Sequence, residues 1–144
     1  MSTKMTDKYC FILIDDVPMN NLLSRYILKN NYPGSQIVEF TDPLLGLEYI
    51  KDHCNNASDV LYIILLDIYM PLVDGWDFLD SYEKLNDEVK ENCGIYVLSS
   101  SINKADSDKA NANKNVIGYA LKPLTESIIS RIVHHIIESR KKTS

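Results

Sequence analysis

Three acids, a hydroxyl and an amine stand out because each follows directly on a hydrophobic run. Asp15 and Asp16 close the run 9–14, Asp67 closes 60–66, Ser99 closes 95–98 and Lys122 closes 116–121. Carboxylates gathered in one place repel one another, so such a site is costly unless a cation sits in it. Oxygen donors without His or Cys suit a hard ion, Mg²⁺ ahead of Ca²⁺. Carboxylates alone would describe a metal site. A lysine and a hydroxyl beside them describe a place for an anion bound next to the metal, phosphoryl above all. Phosphoryl transfer needs mainly positioning and charge neutralisation. An aspartate can itself be the nucleophile and form an acyl phosphate.

These residues can meet only if the runs that carry them are neighbouring strands. The runs 9–14 and 60–66 are almost unbroken apolar stretches, the habit of strands buried on both faces of a parallel sheet. Shorter strands are predicted over 36–40, 95–98 and 116–121. Helical spacing fills the gaps. Asp16 is placed to cap a helix with Pro18 in its first turn. Met19, Leu22, Leu23, Tyr26 and Ile27 form its apolar stripe, and Asn30 to Gly34 stops it. Thr41-Asp42-Pro43 starts a second helix to about His53, with Leu44, Leu47 and Ile50 inward, and 54–58 is a loop. A third helix runs from about Trp76 to Leu85, turning Phe78, Leu79 and Tyr82 to the sheet. The polar segment 103–113, with Ala105, Ala110 and Ala112, predicts a weak, mobile helix. The last helix, Thr125 to about Arg140, carries Ile128, Ile129, Ile132, Val133, Ile136 and Ile137, the strongest amphipathic signal in the chain. Five strands alternating with five helices predict a parallel α/β sheet with right-handed crossovers and helices on both faces. Ligands of such sheets sit beyond the carboxyl ends of the strands. With neighbouring strands about 4.8 Å apart, the five residues can converge there.

At 144 residues the chain fits one domain, read as a tail over 1–8, a domain over 9–140 and a tail over 141–144. The net charge of −5 argues against a nucleic-acid surface. The cluster Arg140-Lys141-Lys142 reads as a solvated end of the last helix. Cys10, Cys54 and Cys93 form no CxxC and read as free thiols in a reducing compartment. His134 and His135 point about 100° apart on a helix and cannot share a metal, and His53 is isolated. The N-terminus lacks the apolar core of a signal peptide, and no run approaches the roughly 18 residues that cross a bilayer. A soluble, cytoplasmic protein is expected. The Met1 start and the short tail favour a protein that acts alone over a piece of a longer chain.

The Asp15-Asp16 pair, the segment Leu65-Leu66-Asp67-Ile68-Tyr69-Met70-Pro71-Leu72-Val73-Asp74-Gly75, the Ser99 turn and Lys122-Pro123 together resemble the receiver domain of two-component response regulators. The likeness to a stand-alone, chemotaxis-regulator-like receiver runs from about Tyr9 to Ser139. An acid pair alone would be weak, but these elements stand in order, each at a strand end. The resemblance implies a flavodoxin-like (βα)5 doubly wound five-stranded parallel sheet of order 2-1-3-4-5. It implies Asp67 as phosphoacceptor, Asp16 as direct Mg²⁺ ligand, Asp15 acting mostly through water, and the backbone carbonyl of Tyr69 as a third protein ligand. Ser99 would bond one phosphoryl oxygen and Lys122 would neutralise another. Ser99 and Tyr119 are the implied switch pair, remodelling the face made by the helix 103–113, the strand 116–121 and the last helix. The phosphoryl donor would be a sensor histidine kinase or a histidine phosphotransfer protein. The other implied partners are an unnamed downstream protein and a second copy in a phosphorylation-dependent homodimer, with no nucleic acid and no membrane. The chain would be no enzyme on a separate substrate, although it would assist phosphorylation and hydrolysis of its own aspartate.

Plainer roles compete for the same residues. Asp15 and Asp16 could be helix caps, Asp74-Gly75 reads as a turn and helix start, Tyr119 could be a core aromatic, and Trp76 reads as packing. Tyr69 is bulky two residues after Asp67 and could shield an acyl phosphate, while Ser101 is small and ill suited to orient a water; slow dephosphorylation is the expectation. A Mg²⁺-dependent phosphatase of the haloacid-dehalogenase type also uses an aspartate nucleophile, but wants an acid where Tyr69 stands and a cap domain for which there is no room. A flavin or nucleotide carrier would need a phosphate-cradling loop. The five glycines form neither GxGxxG nor GxxxxGK[ST].

Overall fold

A computed structural model describes residues 8–54, 59–101 and 103–141. The tail residues 1–7 and 142–144 and the loop residues 55–58 lie outside the described residues. In chain order the elements are β1 (Tyr9–Ile14), α1 (Pro18–Asn31), β2 (Gln36–Phe40), α2 (Pro43–His53), β3 (Leu61–Asp67), α3 (Gly75–Glu83), α4 (Asp87–Lys90), β4 (Cys93–Ser99), α5 (Lys104–Ala112), β5 (Val116–Leu121) and α6 (Glu126–Lys141). The strands form one parallel sheet of order β2-β1-β3-β4-β5, the expected flavodoxin-like arrangement.

The apolar runs make this sheet because they are buried on both faces. Cys10, Ile12 and Ile14 of β1 join Tyr62, Ile64 and Leu66 of β3 on one side, under Ile50 of α2 and Phe78, Leu79 and Tyr82 of α3. Tyr9, Phe11 and Leu13 join Leu61, Ile63 and Leu65 on the other, under Leu28 of α1 and Ile129, Ile132, Val133 and Ile136 of α6. Alternate residues of a strand point to opposite faces, so each run feeds two cores at once. The cysteines are free, as expected.

Two helices turn differently from the apolar pattern. On α1 the stripe Met19, Leu22, Leu23 and Tyr26 faces outward, with Tyr26 66% exposed, and only Ile27 packs inward. Asn21 and Leu28 are the buried positions. The Asn21 side-chain amide donates to the backbone oxygen of Asp15 at 3.0 Å and of Phe40 at 3.5 Å, tying the ends of β1 and β2. Arg25 fixes the same orientation from one turn on, reaching Glu39 at 2.5 Å and the Ile37 carbonyl at 3.2 Å. Polar ties to a neighbouring strand outweigh the stripe. On α2, Leu44 is exposed and Gly46 faces in. A Cβ on Gly46 would lie 2.9 Å from Ile14 Cδ1, so the helix approaches β1 more closely there than a side chain would allow. Leu47 and Ile50 pack inward as expected.

Two further differences concern number and burial. The one-turn helix α4 raises the helices from the five expected to six among the described residues; Val89 is its buried residue. The helix α5 forms where a weak one was expected. Asn103 caps it by accepting from Asp106 N–H at 2.8 Å, and its buried residues are Asp106 and Ala110. Ala105 and Ala112 are exposed.

Candidate functional site

The parallel register sets the strand ends level. Ile14 lies opposite Leu66, Asp67 opposite Leu98, and Ser99 opposite Leu121. The residues that follow therefore meet. Asp15, Asp16 and Asp67 each offer a carboxylate oxygen, and these atoms all lie within 4.8 Å of one another. Asp15 and Asp67 are buried and Asp16 is half-buried. Lys122 arrives from the far side of the sheet, its backbone N–H held by the Ser99 carbonyl at 2.8 Å. Its ammonium lies 2.6 Å from Asp15 Oδ2 and 3.4 Å from Asp67 Oδ2. The Lys122–Pro123 peptide is cis.

The two buried acids are held differently. Asp15 Oδ1 accepts from the Val17 N–H at 2.9 Å, and both its oxygens accept from the Asn20 amide at 3.3 and 3.1 Å. Val17 is the N-cap of α1 and no side chain caps it, so the cap expected of Asp16 is not made. Asp16 is left pointing toward the other acids. Asp67 Oδ1 accepts from the Tyr69 N–H at 3.2 Å. Burial pushes the Asp67 carboxyl above its usual range, and the neighbouring Asp15 adds to this, while Lys122 and the Tyr69 amide pull it back. A desolvated carboxylate with few hydrogen bonds is the more reactive toward an electrophile.

The cleft over these groups measures about 300 Å³ and is lined by Asp15, Asn20, Leu23, Asp67, Ser100 and Lys122, among others. Asn20 had no signal in the sequence, since it lies inside α1, and Ser100 follows β4 directly but one place beyond Ser99. Ser99 itself is fully buried, and its hydroxyl donates to the Ser101 carbonyl at 2.7 Å while accepting from the Ser101 N–H at 3.2 Å. The Tyr69 ring is exposed, and its hydroxyl donates to Asp106 of α5, a bond that pushes the phenol up. Tyr119 lies on β5 opposite Val97 with its side chain exposed. Asp74 caps α3 through a capping box with Asp77, and Gly75 packs against Ile68, so both serve structure, as expected. Trp76 packs at the core edge, with the Lys109 ammonium 5.2 Å from its ring centre.

The acid trio is the one cluster among the described residues that could hold a metal ion. An oxygen-only donor set with two buried carboxylates fits a hard divalent cation. Among the described residues, no helix is long and apolar enough to cross a membrane.

No protein-family model matches the chain. It is 28% identical over 130 residues to the sensor histidine kinase CheAY of Helicobacter pylori, covering 90% of this chain but 15% of that protein. It is 27% identical over 136 residues to the probable methanogenesis regulatory protein FilR2 of Methanothrix harundinacea, covering 92% of this chain and 83% of that protein. Its fold matches a two component response regulator from Cytophaga hutchinsonii with a TM-score of 0.80 at 25% identity, covering 90% and 97% of the two chains. A response regulator receiver protein from Dyadobacter fermentans superposes equally well, with a TM-score of 0.80 at 21% identity over 90% and 98%. By sheet order and superposition the chain has the fold of the response regulator receiver structures it resembles.

Proposed function

We propose that Asp67 accepts a phosphoryl group from a phosphohistidine on a sensor histidine kinase or a histidine phosphotransfer protein, with Asp15, Asp16, Asp67 and the Tyr69 carbonyl holding Mg²⁺. The observation that carries this reading is the convergence of three acids and the Lys122 ammonium at the carboxyl ends of β1, β3 and β5. Bound there, the ion supplies positive charge to neutralise phosphoryl oxygens. The residues of the chain do the rest. An Asp67 oxygen forms the new bond to phosphorus as the phosphorus–nitrogen bond to the donor imidazole breaks, and the electron pair returns to the ring nitrogen. Lys122, already 3.4 Å from Asp67, faces the incoming charge. Ser99 reaches a phosphoryl oxygen only by giving up its bond to the Ser101 carbonyl.

The readout follows from the same step. Ser99 swings toward the phosphoryl group and Tyr119, exposed on β5, turns inward. The face made by α5, β5 and α6 then changes for a downstream protein or for a second copy of the chain. This is a local charge event biasing an element with two arrangements. The chain assists its own phosphorylation and hydrolysis and acts on no separate substrate.

The test is to incubate the protein with a small phosphodonor and Mg²⁺ and weigh it intact. A gain of one phosphoryl group in the native chain and none in Asp67→Asn is expected. No gain, or an equal gain in the variant, refutes the assignment.

A further inference from the structure

A fourth buried acid lies outside the trio. Asp106, in the first turn of α5, is 7% exposed, and the only other buried residue of that helix is Ala110. A buried carboxylate is costly unless hydrogen bonds replace its water. The cap of α5 does not use this one, because Asn103 supplies the capping oxygen. The Asp106 carboxylate accepts instead from the hydroxyl of Tyr69, 37 residues earlier on the loop after β3. Tyr69 also donates its backbone N–H to Asp67 Oδ1 at 3.2 Å. One residue thus touches the acceptor with its main chain and α5 with its side chain. Little apolar packing competes with this tie, since among the described residues α5 adds no side chain to either core cluster. A second polar tie, Lys109 over Trp76 of α3, secures the same helix.

We propose that Asp106 is a positioning residue that latches the loop after β3 to α5 through the Tyr69 hydroxyl, so that a change at Asp67 reaches α5 by way of Tyr69. The transmission part rests on the reading of Asp67 as acceptor. A phosphoryl group on Asp67 brings new anionic oxygens that compete for the Tyr69 N–H. Redirecting that peptide re-aims the side chain it carries, and the hydroxyl leaves Asp106. The carboxylate, now without its donor, is better placed in water, and α5 loosens. The coupling is reciprocal: a tightly seated α5 favours unmodified Asp67.

Amide hydrogen exchange over 104–112 tests the latch with no phosphodonor present. Tyr69→Phe removes one hydroxyl and should raise exchange there about tenfold, the scale of a lost hydrogen bond to a charged group. Asp106→Asn keeps an acceptor oxygen and should stay near native. Adding Asp106→Ala to Tyr69→Phe should raise exchange no further, because both remove one interaction. Native exchange in Tyr69→Phe, or additive effects, overturns the latch. Beryllofluoride with Mg²⁺ then tests transmission: it should loosen α5 in the native chain and add little in Tyr69→Phe, and an equal response in both overturns transmission. If Asp67 is not the acceptor, beryllofluoride leaves the native chain unchanged while the Tyr69→Phe effect stands, so the two failures are told apart.

Discussion

The Lys122 ammonium lies 2.6 Å from Asp15 Oδ2, joining the end of the last strand to the end of the first across 107 residues of sequence. The same ammonium is 3.4 Å from Asp67. All three side chains are largely buried, so this cation offsets two desolvated carboxylates at once. Removing it as Lys122→Met leaves those charges uncompensated, and breaking a buried pair costs about 3–5 kcal/mol. Urea unfolding in chelator should show that loss. Added Mg²⁺ should then stabilise the variant more than the native chain, and an equal effect on both would contradict the charge argument.

Asp67 sets a pH dependence of stability. Its folded pKa is raised, chiefly by burial. A raised carboxyl binds its proton more tightly in the folded state, so its contribution to stability is full below the unfolded value of about 3.9 and is lost as pH rises through the folded value. Above both values the ionised group is a standing cost. In metal-free buffer Asp67→Asn should therefore be the more stable protein at pH 7. The gap should close as the solution is acidified toward the unfolded carboxyl range. Denaturation midpoints across pH check the sign.

Gly75 stands where the loop after β3 meets α3. A Cβ there would lie 2.6 Å from Ile68 Cα and 2.9 Å from the Asp67 carbonyl, both backbone atoms that cannot rotate away. Gly75→Ala should cost at least 1–3 kcal/mol, the range for overpacking. On the proposed reading it should also slow phosphoryl uptake at Asp67, because the atoms that must move belong to the Asp67–Ile68 peptide. Unfolding and uptake measured on one preparation would show both losses.

The outward turn of α1 predicts a contrast between its leucines. Leu22→Gln, on the exposed stripe, should change stability by no more than about 0.5 kcal/mol. Leu28→Ala, at a fully buried position, should cost about 2–5 kcal/mol. A large loss at Leu22 would mean that the stripe faces the core after all.

Leu72 has φ of 69° and is fully exposed. A left-handed conformation costs a side-chain-bearing residue about 1–2 kcal/mol. Leu72→Gly relieves that strain and removes no packing, so thermal unfolding should show no loss and a gain of up to about 1 kcal/mol after the added chain entropy of glycine.

The site was legible because its residues stand at one kind of place. An apolar run buried on both faces must end where the chain leaves the sheet, and parallel pairing then sets Asp15, Asp67, Ser99 and Lys122 level. Helix facing was less legible, because it depends on partners distant in sequence. Asn21 turns inward only because the Asp15 and Phe40 carbonyls await it, and Gly46 does so because Ile14 lies against the helix. The single turn of α4 is too short to show a period. Nor could a pattern of residue types reveal that the Ser99 hydroxyl is turned to Ser101 or that Tyr69 reaches Asp106.

The most direct test of the central claim is to locate the phosphoryl group. After reaction with a small phosphodonor and Mg²⁺, borohydride reduction marks any acyl phosphate, and peptide mapping gives its position. The account predicts a mark on Asp67 alone, weakened in Lys122→Met and lost when Mg²⁺ is chelated. A mark on another residue, or undiminished labelling of Asp67 without Mg²⁺ and without Lys122, would contradict it.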